Sequence, residues 1–324
     1  MLNRAAKAVA RAMLTTGIET PLAAWLRSSR QRVADEVISR HRPQAAVLEP
    51  ALAAGEPGAR EALAKLAEGA LAEMRAQVVD TARGTTRILA SIDRRWGDCS
   101  AVEHMDDPSL DPHLRQRILD DLDAFNALCS YERFYELLRP LLHDGARLLD
   151  LAAGHGGFLL WVAQRARDEG LQLHLTASDL KREYLDLGAQ KAARRNVDVN
   201  FVIQDALDLS NVAPAAFDVI TTTQALHHFA PGQVAVMFET AARSARTAVV
   251  FIDGCRSVLA GCLPLLLALT RTASSGFAHD ALISTRRFFV PEELGLLARI
   301  GPWGERVDAR WTPPGHCVLT QRSR

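Results

Sequence analysis

Arg147-Leu148-Leu149-Asp150-Leu151-Ala152-Ala153-Gly154-His155-Gly156-Gly157-Phe158 is the stretch whose reading decides the fold. Its first half is a short, nearly continuous apolar run, as in a strand covered on both faces. Its second half is rich in glycine. Glycine directly after a strand lets the backbone turn tightly, approach a ligand closely and enter a helix at its N-terminus. Asp150, late in the strand, would orient a cationic or amino-bearing ligand and would repel a pyrophosphate. A dinucleotide fingerprint needs glycine or alanine at position 159, where Leu159 stands. Asp150 and Leu159 together exclude a nicotinamide oxidoreductase.

Downstream, short β-rich runs at 173–178, 199–204, 217–222 and 247–252 alternate with helical patterns at 157–168, 182–195 and 232–245. Such alternation predicts an α/β fold with a doubly wound parallel sheet. A further helix is expected from Pro291, with Glu292 and Glu293 in its first turn, then strands at 305–311 and 316–321. Ligands of open α/β sheets bind beyond the carboxyl ends of the strands. The second strand ends at Asp179, whose carboxylate can accept both hydroxyls of a ribose. Asp150 and Asp179 on neighbouring strand ends therefore point to a nucleoside site.

Upstream, residues 1–145 read as an all-helical N-terminal domain, a cap or a dimerisation region, and 146–324 as the sheet domain. Residues 59–82 are strong helix formers with apolar residues at three- and four-residue spacing. Residues 43–58, with three prolines and two glycines, look like a connector. Asp111-Pro112 offers an N-cap followed by proline at the first helical position, and Tyr131 to Leu142 reads as a second short helix. The basic stretch 1–18 reads as an amphipathic first helix rather than an organellar leader.

Charge and cysteine usage narrow the partners. Lys plus Arg and Asp plus Glu are 38 each in 324 residues, so the chain lacks the basic excess of a nucleic-acid binder. The five cysteines form no Cys-x-x-Cys pair, which argues against a zinc ribbon or a disulfide framework and for a reducing, cytoplasmic setting. The apolar run 258–269 is too short to span a bilayer.

With Asp150-Leu151-Ala152-Ala153-Gly154-His155-Gly156, Asp179-Leu180 and Asp205-Ala206 in order, the sequence resembles the class I S-adenosylmethionine-dependent methyltransferases over about residues 120–324. The stretch Phe217 to Phe229, ending Gln224-Ala225-Leu226-His227-His228-Phe229, is similar to the ubiquinone- and menaquinone-type small-molecule branch. The resemblance implies a Rossmann-like methyltransferase sheet and S-adenosylmethionine as cofactor, held by Asp150, Ala152, Gly154, Gly156, Asp179, Leu180, Asp205, Ala206 and Thr223. It implies methylation of a small, largely apolar phenol, enol or carboxylate, at oxygen or carbon, in secondary or quinone metabolism. The rival is a non-catalytic binding or scaffold protein on the same fold. The intact acids and glycines argue against that decay.

The residues after the fourth strand exclude several chemistries within this resemblance. Thr223-Gln224-Ala225-Leu226 is not the Asn/Asp-Pro-Pro-aromatic tetrad of amide N-methyltransferases, and it holds no Pro-Cys nucleophile. It also supplies no acid for Mg²⁺, so no catalytic metal is expected. His227 is expected to face the methyl group as a general base, with His228 turned toward the helix near Pro231 or touching substrate. The long insertion 255–290 is expected to cover the substrate. There His279-Asp280 would orient a proton acceptor, and Arg286 or Arg287 would grip a carboxylate. Tyr131 is expected near the methionine end of the cofactor and against the substrate. The partners implied are a small-molecule substrate and, through the N-terminal helices, a second copy of the chain.

Overall fold

A computed structural model describes residues 21–107, 109–257 and 275–322. The stretches 1–18 and 258–269 singled out above lie outside the described residues. Seven strands, β1 (Arg147–Asp150), β2 (His174–Asp179), β3 (Asn200–Ile203), β4 (Phe217–Thr223), β5 (Ala245–Gly254), β6 (Val307–Thr312) and β7 (His316–Arg322), form one sheet. Their order is β3-β2-β1-β4-β5-β7-β6, and β7 alone runs against its neighbours. The expected doubly wound sheet is thus present. Strand order reverses between β1 and β4, which places the ligand crevice at their carboxyl ends.

Before the sheet come α1 (Pro21–Val47), α2 (Glu49–Ala53), α3 (Pro57–Thr81), α4 (Gly84–Gly97), α5 (Pro112–Cys129) and α6 (Tyr131–Leu138). Between and after the strands lie α7 (Gly157–Asp168), α8 (Arg182–Arg195), α9 (Pro231–Ser244), α10 (Ser275–Arg287) and α11 (Pro291–Arg299). Asp111 caps α5 as expected, its carboxylate accepting the Leu114 N–H at 2.9 Å. The segment 43–58 is not an open connector. Pro43 is carried inside α1, while Pro50 and Pro57 sit in the first turns of α2 and α3, where no helical hydrogen bond is lost. The helix starting at Tyr131 stops at Leu138, four residues short of the expected end, and tightens into a 3₁₀ turn over Arg139–Leu141 around Pro140.

Two apolar layers hold the sheet. On one face α6 and α7 bring Phe134, Leu138, Phe158 and Leu160 against β1 and β4. On the other, α9 and α11 cover the strands, and α1 and α3 pack outside them. Val33, Leu63, Leu71 and Met74 of these outer helices join Phe238, Phe251 and Leu294 in one continuous core. A buried ion network sits in the same layer. Glu293 pairs with both terminal nitrogens of Arg256 (2.7 and 2.8 Å) and with Arg75 Nε (2.8 Å), while Arg256 and Arg30 share Asp93.

Candidate active site

The turn after β1 takes three left-handed residues: Ala152 (φ 51), Gly154 (φ 56) and Gly156 (φ 70). Gly156 caps α7, and a Cβ there would meet the Phe201 ring at 2.9 Å. At Gly154 a Cβ would meet nothing within 4 Å, so this backbone faces open space. Its N–H donates to Asp179 Oδ2 (2.9 Å), while Asp179 Oδ1 accepts from Lys181 N–H (2.9 Å). The acid at the end of β2 thus clamps the glycine turn and keeps lone pairs for a ligand.

A cleft of about 290 Å³ opens over this turn. Ala152, Gly154, Asp179, Leu180, Asp205, Ala206 and Thr223 all line it, as the sequence implied. Asp150 and Gly156 do not; they support it from beneath. Asp150 is buried, with Oδ2 3.4 Å from Thr223 Oγ1 and Oδ1 without a partner. Burial pushes its pKa well above the usual carboxylate range. An amino group delivered to that oxygen would supply what it lacks. The Tyr184 hydroxyl, on the cleft wall, is likewise unpartnered. A nucleoside carrying a charged amino acid fits both orphans and the open glycine turn.

A second cavity of about 150 Å³ adjoins the first. Met105, Leu122, Gln224 and His228 line both. Its walls are mainly apolar, with Ile118, Phe125, Phe277 and Phe288, and Glu103, His227, Ser284 and His316 add polar groups. Gln224, held at φ 56 by its N–H bond to Ile252 O (2.9 Å), stands where the two spaces meet.

Both histidines reach the second cavity. His227 lines the second cavity, and His228 lines both cavities instead of turning away. They lie on the 3₁₀ turn Leu226–His228, and their rings tilt together with centroids 4.3 Å apart. The His227 N–H and ring Nδ1 both meet the buried Asp253 carboxylate, each at 2.9 Å from Oδ2. A carboxylate accepts, so Nδ1 is the donor in this contact and Nε2 is the nitrogen left toward the cavity side. His228 Nδ1 lies 3.2 Å from Asp106 Oδ2. Burial pulls His228 down, but the Asp106 hydrogen bond and the nearby carboxylates outweigh it and raise its pKa. His316 is neutral: burial pulls its pKa down to about 4, and neither ring nitrogen has a partner.

Of the other expected residues, Tyr131 reaches only the cofactor-type cleft, and His279, Arg286 and Arg287 line neither space. Tyr131 lines the cofactor-type cleft and not the second cavity, because its hydroxyl donates to Asp123 Oδ1 (3.0 Å) beside α7. Burial, then Asp123, pushes its pKa well above the phenol range. His279 lines neither cavity; it is exposed and stacks on His104. Its neighbour Asp280 accepts the backbone N–H groups of His104 (2.7 Å) and Met105 (3.1 Å). Arg286 stacks over Trp96 and donates to the carbonyls of Trp96 and Asp98. Arg287 also lies outside both linings, 4.0 Å from Glu103. Asp280 and Arg286 fasten the strap, residues 98–107, over the cavities. Glu103, Met105 and Asp106 escaped sequence reading, since the strap has no periodicity, and His316 escaped it because strand order, which brings β7 beside β5, is not written in the sequence.

Residues 148–248 match a family described as a methyltransferase domain. The matched stretch runs from β1 into β5 and takes in the glycine turn and the acid at the end of β2. The chain is similar to the demethylmenaquinone methyltransferase of Deinococcus radiodurans, 34% identical over 90 residues, which is 28% of this chain and 35% of that protein. It is 31% identical over 87 residues to a ubiquinone/menaquinone biosynthesis C-methyltransferase of Rickettsia bellii, 26% of this chain and 34% of that one. The chain thus spans about a third of the length of these curated relatives. A solved S-adenosylmethionine-dependent methyltransferase from Aquifex aeolicus superposes with a TM-score of 0.46 and 16% identity, covering 64% of this chain and 98% of that one. S-adenosylmethionine is the cofactor of this class, and the cleft described above fits it.

Proposed function

We propose that the protein is an S-adenosylmethionine-dependent methyltransferase acting on a hydroxylated, largely apolar ring molecule bound in the second cavity. The observation that carries this reading is the shared wall: Met105, Leu122, Gln224 and His228 border both the cofactor-type cleft and an apolar cavity. S-adenosylmethionine, when bound, supplies an electrophilic sulfonium methyl. Asp179 offers lone pairs to the ribose, Asp205 and Ala206 border the base, and Asp150 answers the amino group. Apolar walls orient the ring in the second cavity, and such alignment can supply about 7–11 kcal/mol of the barrier. The acceptor hydroxyl meets the polar side of the cavity at Glu103, His227 and His228, where an imidazole can take its proton. Methylation at oxygen or at the adjacent ring carbon starts from the anion so formed. A carboxylate acceptor is disfavoured, because Arg286 and Arg287 line neither cavity.

The test is calorimetry with S-adenosylmethionine and its demethylated product, then mass spectrometry of phenols and hydroquinones incubated with the protein. Ligand at 100 times its Kd should stabilise the fold by about 2.7 kcal/mol. Absence of binding of either ligand to the folded protein would overturn the reading.

A further inference from the structure

At the wall of the second cavity, side chains from two distant segments converge. Glu103 comes from the strap ahead of α5, and His227 and His228 come from the turn after β4. His227 Nε2 lies 3.8 Å from Glu103 Oε1, and His228 Nε2 lies 3.8 Å from Glu103 Oε2. The ligand atoms of all three residues fall within 4.8 Å of one another. At 3.8 Å neither contact is a hydrogen bond. Tetrahedral zinc, with its ligands at about 2.0–2.2 Å, sets neighbouring donors roughly 3.4 Å apart. The three groups are therefore too far apart to bond each other, and each imidazole stands about 0.4 Å beyond that spacing from one Glu103 oxygen.

A second observation is independent of those distances. Each imidazole has its other nitrogen tied to a carboxylate, His227 Nδ1 to Asp253 (2.9 Å) and His228 Nδ1 to Asp106 (3.2 Å). That backing fixes the tautomer of metal-ligating histidines and aims the remaining lone pair at the ion. Glu103 is positioned in its turn by the Ser284 hydroxyl, which donates to Oε1 (2.9 Å).

We propose that Glu103, His227 and His228 bind a divalent transition-metal ion of the zinc or iron(II) type, with an open position facing the second cavity. Two imidazoles and one carboxylate suit these ions, whereas Mg²⁺ and Ca²⁺ prefer all-oxygen sites. An oxygen of the acceptor takes the open position and is held there as its anion, the Lewis-acid role of such ions. The identity of that oxygen ligand rests on the methyltransferase reading; the ion site rests on the cluster alone. Thr223 and Gln224 supply no acid to such an ion, and Glu103, from a distant segment, does.

The test uses the full-length protein, stripped with a chelator and dialysed against Zn²⁺, anaerobic Fe²⁺ or Co²⁺, with metal content by elemental analysis and the Co²⁺ absorption spectrum as readouts. One ion per chain is expected. Asp106→Asn should weaken binding about 10–100-fold, and Glu103→Gln more than that. His279→Ala should leave binding unchanged, since it breaks the neighbouring His104, His279 and Asp280 cluster instead. Calorimetry with the demethylated cofactor, run on the same Glu103→Gln sample, separates failure of the cofactor reading from failure of this one. A folded, cofactor-binding protein that takes up no ion would overturn the proposal and leave a buried imidazole–carboxylate cluster. Ion uptake that survives Glu103→Gln, or is lost in His279→Ala, would overturn it as well.

Discussion

Asp179 does two jobs with one carboxylate. It accepts from Gly154 N–H and Lys181 N–H, and it lines the cleft. Asp179→Ala should therefore weaken binding of the demethylated cofactor at least tenfold by calorimetry, because hydrogen bonds to a charged group contribute about 1.5–3 kcal/mol each. It should also lower the melting temperature of the ligand-free protein, since the glycine turn loses its clamp. A second single-residue prediction concerns Glu239, buried in α9 with neither oxygen hydrogen-bonded. Burial raises its pKa to about 7. The folded protein thus keeps a proton that the unfolded chain releases, and stability is lost as pH rises from about 4.5 through 7. Glu239→Gln should raise the melting temperature at pH 8, by up to about 3 kcal/mol in stability, and change little at pH 4.5. Equal effects at both pH values would contradict the assignment. The cofactor residues were legible because a glycine turn and strand-end acids sit at fixed offsets along the chain. Of the second-cavity residues, His227 and His228 were legible at the exit of the fourth strand, whereas Glu103 was not, because it meets His227 across more than a hundred positions. His279 misled for the same reason: beside Asp280 it looked like a catalytic pair, but the aspartate serves the backbone of the strap.

Among the elements, the strap 98–107 is the one most exposed to perturbation. It forms a 3₁₀ turn at His104–Asp106, and α10 holds it through Asp280, Ser284 and Arg286, with His228 and Arg115 adding one bond each. Asp280→Ala removes the acceptor of two backbone N–H groups at once, leaving buried donors unpaired at about 1–3 kcal/mol each. Hydrogen exchange at residues 103–107 should accelerate, and KM for the acceptor should rise more than Kd for the cofactor. Unchanged exchange there would show that the strap is held by its apolar contacts. Strands and flanking helices were readable from periodicity and turn chemistry, and they fall where those signals put them. The prolines at 43, 50 and 57 read as breaks because proline is punctuation in isolation; in place, two of them start helices.

The outer helices and the sheet share one core, and the Glu293 network joins α3, α4 and α11 to the end of β5 inside it. Glu293 is buried, and the facing guanidinium groups hold its pKa well below the carboxylate range against the cost of burial. Glu293→Gln leaves Arg256 buried without its bidentate partner, so a loss of about 3–5 kcal/mol is expected in chemical denaturation. Unfolding should remain a single transition, because no apolar boundary separates the N-terminal helices from the sheet layer. The sequence showed two compositional halves and could not show this, since helix periodicity reveals an apolar face but not what covers it. The place of β7 has a further consequence, for biosynthesis. It is made after the other six described strands, yet it lies between β5 and β6 and brings His316 to the site. While residues 316–322 are still in the ribosome, β5 offers an unpaired apolar edge and β6 has no neighbour. A nascent chain can close its cofactor cleft early, but its second cavity must wait for these residues to emerge, and an exposed edge of that kind is what chaperones protect from aggregation.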